Sequence, residues 1–239
     1  MIDFHSHILP GVDDGSPDVE TSIAMLRMAA QQGITHVVAT PHFYARHDRP
    51  QRFLARRDRA EAALREEMAR HEGLPELLVG AEAAFFRGIS DSEFLPQLTT
   101  REKRCILIEM PLAPWPEEFF RELEAIRGKW GIMPIIAHID RYIGPFRTFG
   151  IPQRLARMPV YVQANAGFFL NRRTADMALR MLKKGQIHLL GSDSHNLSDR
   201  KPNLGPAVEK IRRHLGEAAL SRIGDNIRVV MWVDEGPVV

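Results

Sequence analysis

Short apolar, β-branched runs alternate with longer charged stretches of helical period along this chain of 239 residues. Strands are expected at residues 2–7, 34–40, 77–81, 105–109, 133–138, 160–164 and 187–191, where the apolar runs are four to seven residues long. Between them the 3.6-residue period predicts helices. The first begins near Asp18, an N-cap following Pro17, carries Ile23, Leu26, Met28 and Ala30 on one stripe, and stops at Gly33. Others are expected over 50–71, closed by Gly73, and over 117–130, 174–184 and 206–215. About seven strand–helix units, with strands alternating with helices, mean a parallel α/β fold in one domain spanning 1–239. Alternation alone fits a doubly wound open sheet as well as a barrel; the polar residues decide between them.

Those residues cluster where the expected strands end. The first strand delivers His5 and His7, with Asp13 and Asp14 in the loop beyond; the second runs into His42. Glu82 follows the third, Glu109 closes the fourth and His138 the fifth; Asn165 follows the sixth, and Asp193 and His195 the seventh. A barrel gathers the C-terminal ends of its strands at one mouth, whereas an open sheet spreads them along an edge. A TIM-like barrel is therefore the expected fold. His-x-His in a strand places both imidazoles on one face, able to grip one ion from one side. Five histidines (5, 7, 42, 138, 195) and four carboxylates (14, 82, 109, 193) make nine candidate ligands. With ~4–6 ligands per transition ion, that set predicts two or three divalent metals, with manganese, iron and zinc all compatible. His36 and His188 read as strand residues, and His47, His71 and His214 as surface groups.

Arg141 and Arg200 follow two of these strand ends and are expected over the same mouth. Guanidinium groups match phosphate oxygens, so arginines beside several metals point to phosphoester hydrolysis. Phe43, Tyr44, Trp115 and Phe168 are the aromatic candidates there.

Composition removes several classes. Formal net charge is +2, and no apolar run approaches the ~20 residues of a membrane span, so neither nucleic acid binding nor membrane insertion is expected. The start shows no charged segment followed by an apolar run, and a reducing compartment suits a chain with one cysteine; a cytoplasmic location is expected. Cys105 follows Arg104, and Pro111 stands where a cysteine phosphatase needs its arginine, so thiol-based phosphatase chemistry is excluded. Cys105 is expected to be a small core residue.

The motifs resemble a known superfamily. Asp3-Phe4-His5-Ser6-His7-Ile8-Leu9-Pro10 with Val12-Asp13-Asp14-Gly15, Thr40-Pro41-His42, Gly80-Ala81-Glu82, Ile108-Glu109, Ala137-His138-Ile139-Asp140-Arg141 and Ser192-Asp193-Ser194-His195-Asn196-Leu197 follow the order and spacing of the PHP superfamily. They are most similar to its bacterial protein tyrosine phosphatases of capsule and exopolysaccharide operons, the CpsB/CapC type. The resemblance implies a distorted (β/α)7 barrel with a trinuclear, often manganese-dependent site that hydrolyses phosphotyrosine through a metal-activated hydroxide. It implies that His5, His7, Glu82 and Asp193 hold one metal, that Glu82 bridges to a second held with Glu109 and His138, and that Asp14, His42 and His195 hold a third. Arg141 and Arg200 match the family's substrate-facing arginines, and the implied substrate is the phosphotyrosine-bearing tail of a bacterial tyrosine kinase controlling polysaccharide export. The chain departs from the family pattern at Asp140, where a glutamate is usual, and carries no matching motif after Pro202. Three other readings stay open: a small-molecule phosphomonoesterase such as a histidinol phosphatase, an amide-cleaving barrel metallohydrolase, and a non-catalytic regulator that binds a kinase tail. The amidohydrolase reading lacks its usual strand-end lysine, and a regulator would be marked by lost ligands, whereas all nine are present.

Overall fold

A computed structural model describes residues 1–100, 105–143 and 150–232. Its first strand, β1 (Ile2–Ser6), is buried along its whole length, as expected of a parallel strand covered on both faces. Then come α1 (Val19–Gln31), β2 (His36–Ala39), β3 (His42–Phe43), α2 (Pro50–Met68), β4 (Glu76–Val79) and β5 (Glu82–Ala84). The second half comprises β6 (Cys105–Glu109), α3 (Glu117–Trp130), β7 (Met133–Ile136), α4 (Ile151–Leu155), β8 (Tyr161–Asn165), α5 (Ala166–Leu170), α6 (Ala175–Lys183), β9 (Leu189–Gly191), α7 (Leu204–Leu215) and α8 (Glu217–Trp232).

All paired strands run parallel, in the orders β1-β2-β4 and β3-β5-β6-β7-β8-β9. Seven of the nine strands occupy the seven expected positions, while β3 and β5 lie just beyond the second and third of these, each after a break. Between β2 and β3 stands Pro41, which has no N–H to give to a ladder. Between β4 and β5 stands Gly80, whose Cα lies so close to Thr100 that a Cβ would meet its Oγ1 at 2.9 Å. At these breaks the ladder passes from one sheet to the other. The ring closes where β1 meets β9: the His7 amide donates to the Ser194 carbonyl (2.8 Å) and the Asp193 amide to the His5 carbonyl (2.8 Å). The result is the distorted parallel α/β barrel expected from the chain.

Several helix boundaries follow directly from sequence. Asp18 caps α1 by accepting from the Thr21 amide (2.8 Å), and Gly131 ends α3 in the left-handed conformation that glycine tolerates. Cys105 is buried in β6, as expected. Helices α4, α5 and α8 are not anticipated. The last buries Leu220, Ile223, Ile227, Val230 and Met231.

Candidate metal centre

The C-terminal ends of the strands converge at one mouth, and all nine candidate ligands meet there. His5 lies in β1 and His7 just past it. Between Asp3 and Ser6 the pairing with β2 slips, three steps on β1 facing two on β2. Such a bulge re-aims side chains beside a site. His42 and Glu82 begin the short strands β3 and β5 rather than following completed ones, Glu109 ends β6, and His138, Asp193 and His195 lie just beyond β7 and β9. Two of these residues, His138 (φ 29°) and Asp193 (φ 54°), have positive φ without being glycine. Conformations of that kind are costly for L side chains and gather at functional sites.

Glu82 is the hub. Its Oε2 lies 3.1 Å from His5 Nε2, 3.3 Å from His7 Nε2 and 3.1 Å from His42 Nδ1, while Oε1 accepts from His138 Nε2 at 2.8 Å. Asp193 Oδ1 is 3.5 Å from His5 Nε2 and 3.4 Å from His7 Nε2. Glu109 Oε1 is 3.5 Å from His138 Nε2, and Asp14 Oδ1 is 3.4 Å from His195 Nε2 and 3.7 Å from His42 Nε2. Three sets of ligand atoms each lie within 4.8 Å of one another: His7, Asp14, His42 and His195; His5, His7 and Asp193; His42, Glu82 and Glu109. His7 and His42 each belong to two of these sets. The grouping thus differs from the implied one in linking His42 to Glu82 and His7 to the Asp14 group, while His138 joins through its contacts with Glu82 and Glu109.

The outward nitrogens show what the inward ones can do. His7 Nδ1 faces Asp13 Oδ2 at 2.7 Å, His5 Nδ1 faces Gln163 Oε1 at 3.4 Å, and His195 Nδ1 faces the Asp193 carbonyl at 3.0 Å. A neutral ring donating at Nδ1 presents a bare lone pair at Nε2. The His5 and His7 Nε2 atoms are 3.1 Å apart and point at the same carboxylates, and the buried His195 Nε2 and His42 Nδ1 make no hydrogen bond among the described residues. Lone pairs and carboxylates aimed at common points, with the opposite nitrogens of His5, His7 and His195 held by oxygens, are the donor arrangement that divalent cations satisfy. The residues fit a metal cluster.

Protons substitute in part when no cation balances the carboxylates. Burial works against a charge on His138, yet Glu109 and Glu82 outweigh it and push its pKa up to about 9. Burial likewise opposes the charge of Glu82, but His5, His138 and His42 hold it well below the usual carboxylate range. His195 goes the other way: burial and the neighbouring positive charge of His7 push it down to about 4.

Arg141 and Arg200 reach the mouth as expected and grasp the two oxygens of one carboxylate. Arg141 Nη2 donates to Asp193 Oδ2 (2.7 Å) and Arg200 Nη2 to Asp193 Oδ1 (3.0 Å). Arg141 Nη1 also donates to Glu109 (3.1 Å). Of the four aromatic candidates, Phe43, Trp115 and Phe168 are buried packing residues; Tyr44 is 40% exposed, its ring stacked 5.1 Å from that of His42.

Sequence reasoning misses the residues behind the ligands. Gln163 Oε1 also accepts the His138 amide at 2.6 Å, and Gln163 Nε2 donates to Asn165. Asp13 accepts the His42 amide (2.8 Å) while holding His7. Asp3 accepts the Ser192 amide (2.8 Å) across the closing seam, and burial pushes its carboxyl up to about 6. Asp140 accepts the Asn165 amide (3.1 Å), so the shorter carboxylate still tethers the arginine-bearing turn to β8.

Fold and site together define a class: parallel (β/α) barrels of the PHP type, with a histidine–carboxylate centre suited to several divalent ions. Within it, a family model described as "Capsular polysaccharide synthesis, CpsB/CapC" matches residues 1–229, and the chain belongs to that family. It is 27% identical to the tyrosine-protein phosphatase YwqE of Bacillus subtilis, over 97% of this chain and 91% of that protein. It is 29% identical to the tyrosine-protein phosphatase CpsB of Streptococcus pneumoniae, over 97% and 98%. Crystal structures of YwqE and CpsB, described as unique metal-dependent tyrosine phosphatases, provide a structural match at TM-score 0.82 and 25% identity, covering 97% of this chain and 94% of the matched one. A histidinol phosphate phosphatase from Lactococcus lactis, solved with zinc, L-histidinol and phosphate, shares the fold at TM-score 0.57 and 15% identity, covering 91% and 93%.

Proposed function

We propose that this chain is a metal-dependent protein-tyrosine phosphatase forming one catalytic domain over 1–239. The observation that carries the reading is the pair of arginines poised beside a cluster of nine metal-ligand side chains. His5, His7, Glu82 and Asp193 would hold one divalent ion, Glu82, Glu109 and His138 a second, and Asp14, His42 and His195 a third, with His7 and His42 near enough to share. Manganese suits the mixed imidazole–carboxylate set, and iron or zinc also fits it. Bound there, the ions lower the pKa of water and neutralise phosphoryl charge. Arg141 and Arg200, paired with Asp193 at rest, turn their donors to the phosphoryl oxygens and fix the group in the mouth. Tyr44, half-exposed over His42, offers its face to the tyrosyl ring, and burial together with nearby carboxylates pushes its own hydroxyl well above the usual phenol range, so it stays protonated.

The rim favours a protein substrate over a small phosphomonoester. Among the described residues four large apolar side chains are exposed, and three of them, Tyr44, Leu112 and Leu197, stand on loops at this mouth. A bacterial tyrosine kinase that controls polysaccharide export is the partner consistent with the family. A cytoplasmic location goes with that reading, and no described helix is long and apolar enough to cross a membrane. The test is hydrolysis of a phosphotyrosine peptide and of histidinol phosphate after chelation and after return of Mn²⁺, Fe²⁺ or Zn²⁺. Peptide turnover restored by metal is expected. Turnover that survives complete metal removal sinks the mechanism, and preference for histidinol phosphate overturns the substrate.

A further inference from the structure

A second surface opens beside the metal centre. One cavity of about 400 Å³ is lined by Ala45, Pro50, Phe94 and Phe86 with Arg46 and Arg87. Its neighbour, of about 270 Å³, shares Arg46, Phe86 and Arg87 and continues over Phe85, Phe119 and Pro111. The shared residues make them one groove. Its walls grow from the strand ends that carry ligands: Arg46 lies four positions beyond His42, Phe86 four beyond Glu82, and Pro111 two beyond Glu109. A chain leaving the mouth past Tyr44 therefore enters it.

The groove has phenyl rings along its floor, Phe86 and Phe94 stacked at 6.1 Å, and cations at its edge. Arg46 is exposed and forms no ion pair among the described residues. Among the described residues Arg87 forms an ion pair with Glu118, at 3.5 Å, with both side chains exposed, a pairing that solvent weakens and a competing anion displaces. The adjoining stretch 44–59 holds six arginines against two aspartates and extends the positive field. Apolar floor and cationic rim are complementary to acidic chain bearing an aromatic side chain.

We infer that this groove binds the segment flanking the phosphotyrosine of the substrate, and that it selects acidic flanks containing an aromatic residue. The inference rests on the phosphatase reading. Arg46 and Arg87 pair with carboxylates on either side of a ring that lies on Phe86 and Phe94. The groove positions peptide and touches no reacting atom.

The test uses the metal-loaded chain, p-nitrophenyl phosphate, and three phosphotyrosine peptides with Glu/Phe, Glu/Ala or Lys/Phe flanks. The Glu/Phe peptide should show a KM at least tenfold below that of the Lys/Phe peptide. R46E/R87E should erase or invert that ratio, with kcat and hydrolysis of p-nitrophenyl phosphate unchanged. Inversion is a gain for the Lys/Phe peptide that a misfolded variant cannot give. The Glu/Ala peptide should lose several-fold in KM. Equal KM values for the peptides in wild type, or a ratio that survives charge reversal, overturns the inference. If no substrate is turned over with any metal, the phosphatase reading fails by itself. Anisotropy of the labelled Glu/Phe peptide then decides the groove: binding lost in R46E/R87E upholds it, and binding absent or unaltered overturns it.

Discussion

Gln163 holds two ligands from the middle of β8. Its one side-chain oxygen faces His5 Nδ1 and receives the His138 amide, so it sets the tautomer of the first ring and the position of the second. Gln163→Leu should keep the fold and weaken metal binding ten- to a hundred-fold, read by titration with Mn²⁺ against a competing chelator. Unchanged affinity would reduce Gln163 to a packing residue. His5→Ala should abolish metal-dependent turnover of a phosphotyrosine peptide while Cys105→Ser leaves it intact; the opposite pattern would return a thiol mechanism to consideration. The candidate ligands are legible in sequence because imidazoles and carboxylates recur at one expected strand end after another, which a lone structural histidine would not do. Gln163 carries a weaker mark of the same kind, an amide between Val162 and Ala164 in a strand that is otherwise apolar. The positive φ at His138 and Asp193 carries a faint mark at most, because aspartate and histidine visit that region more often than most residues but too seldom for sequence to place it.

At the scale of elements, strand positions and the longer helices follow from periodicity, and the breaks in the second and third strands do not. Pro41 and Gly80 mark them, but either residue also suits a strand end, and only the ladder's transfer between sheets distinguishes the cases. Helix α8 has apolar residues at helical spacing, interrupted by Gly224, and α4 and α5 are too short to show a period. Strand β9 supplies two predictions. A Cβ on Gly191 would stand 2.5 Å from the His5 Cβ and 3.0 Å from the His5 amide nitrogen. Gly191→Ala should therefore push β1 off its seam, lowering metal affinity and the thermal midpoint together; a variant that binds metal normally would show that the seam yields at no cost to the site. Just before β9, His188 receives the Val162 amide on Nδ1 (3.1 Å), and burial, aided by the charge of Arg222, pushes it down to about 4. The unfolded chain, with its histidine near 6.5, takes up the proton first. Stability from this residue is thus complete above pH ~6.5 and falls toward pH 4 by about 2–3 kcal/mol. Urea midpoints across that range should show the slope in the wild type and a flatter one in His188→Gln, and parallel curves would refute it.

For the whole molecule, the barrel and its centre are mutually dependent. The candidate ligands come from β1 and the loop after it, from β3, β5 and β6 and from beyond β7 and β9, so a cation bound by them would tie elements that otherwise meet only through the ladder. Ions that bind the folded chain alone stabilise it by mass action, about 2.7 kcal/mol at a hundred times the dissociation constant. Millimolar Mn²⁺ should raise the thermal midpoint by several degrees, and His5→Ala should remove most of that gain. A midpoint indifferent to metal in the wild type would mean that the cluster binds no ion of consequence to the fold.

The seam between β1 and β9 also sets an order in time. Asp3 and Ser192, joined across it, are 189 positions apart in the chain. On the ribosome β1 emerges first and keeps one edge open until β9 has been made, since contacts between distant residues form only after the loop between them can close. His5 and His7 are therefore made long before the residues that face them across the seam. A nascent or truncated chain can curl most of its sheet and still own no centre, so metal uptake marks the moment at which the barrel is finished.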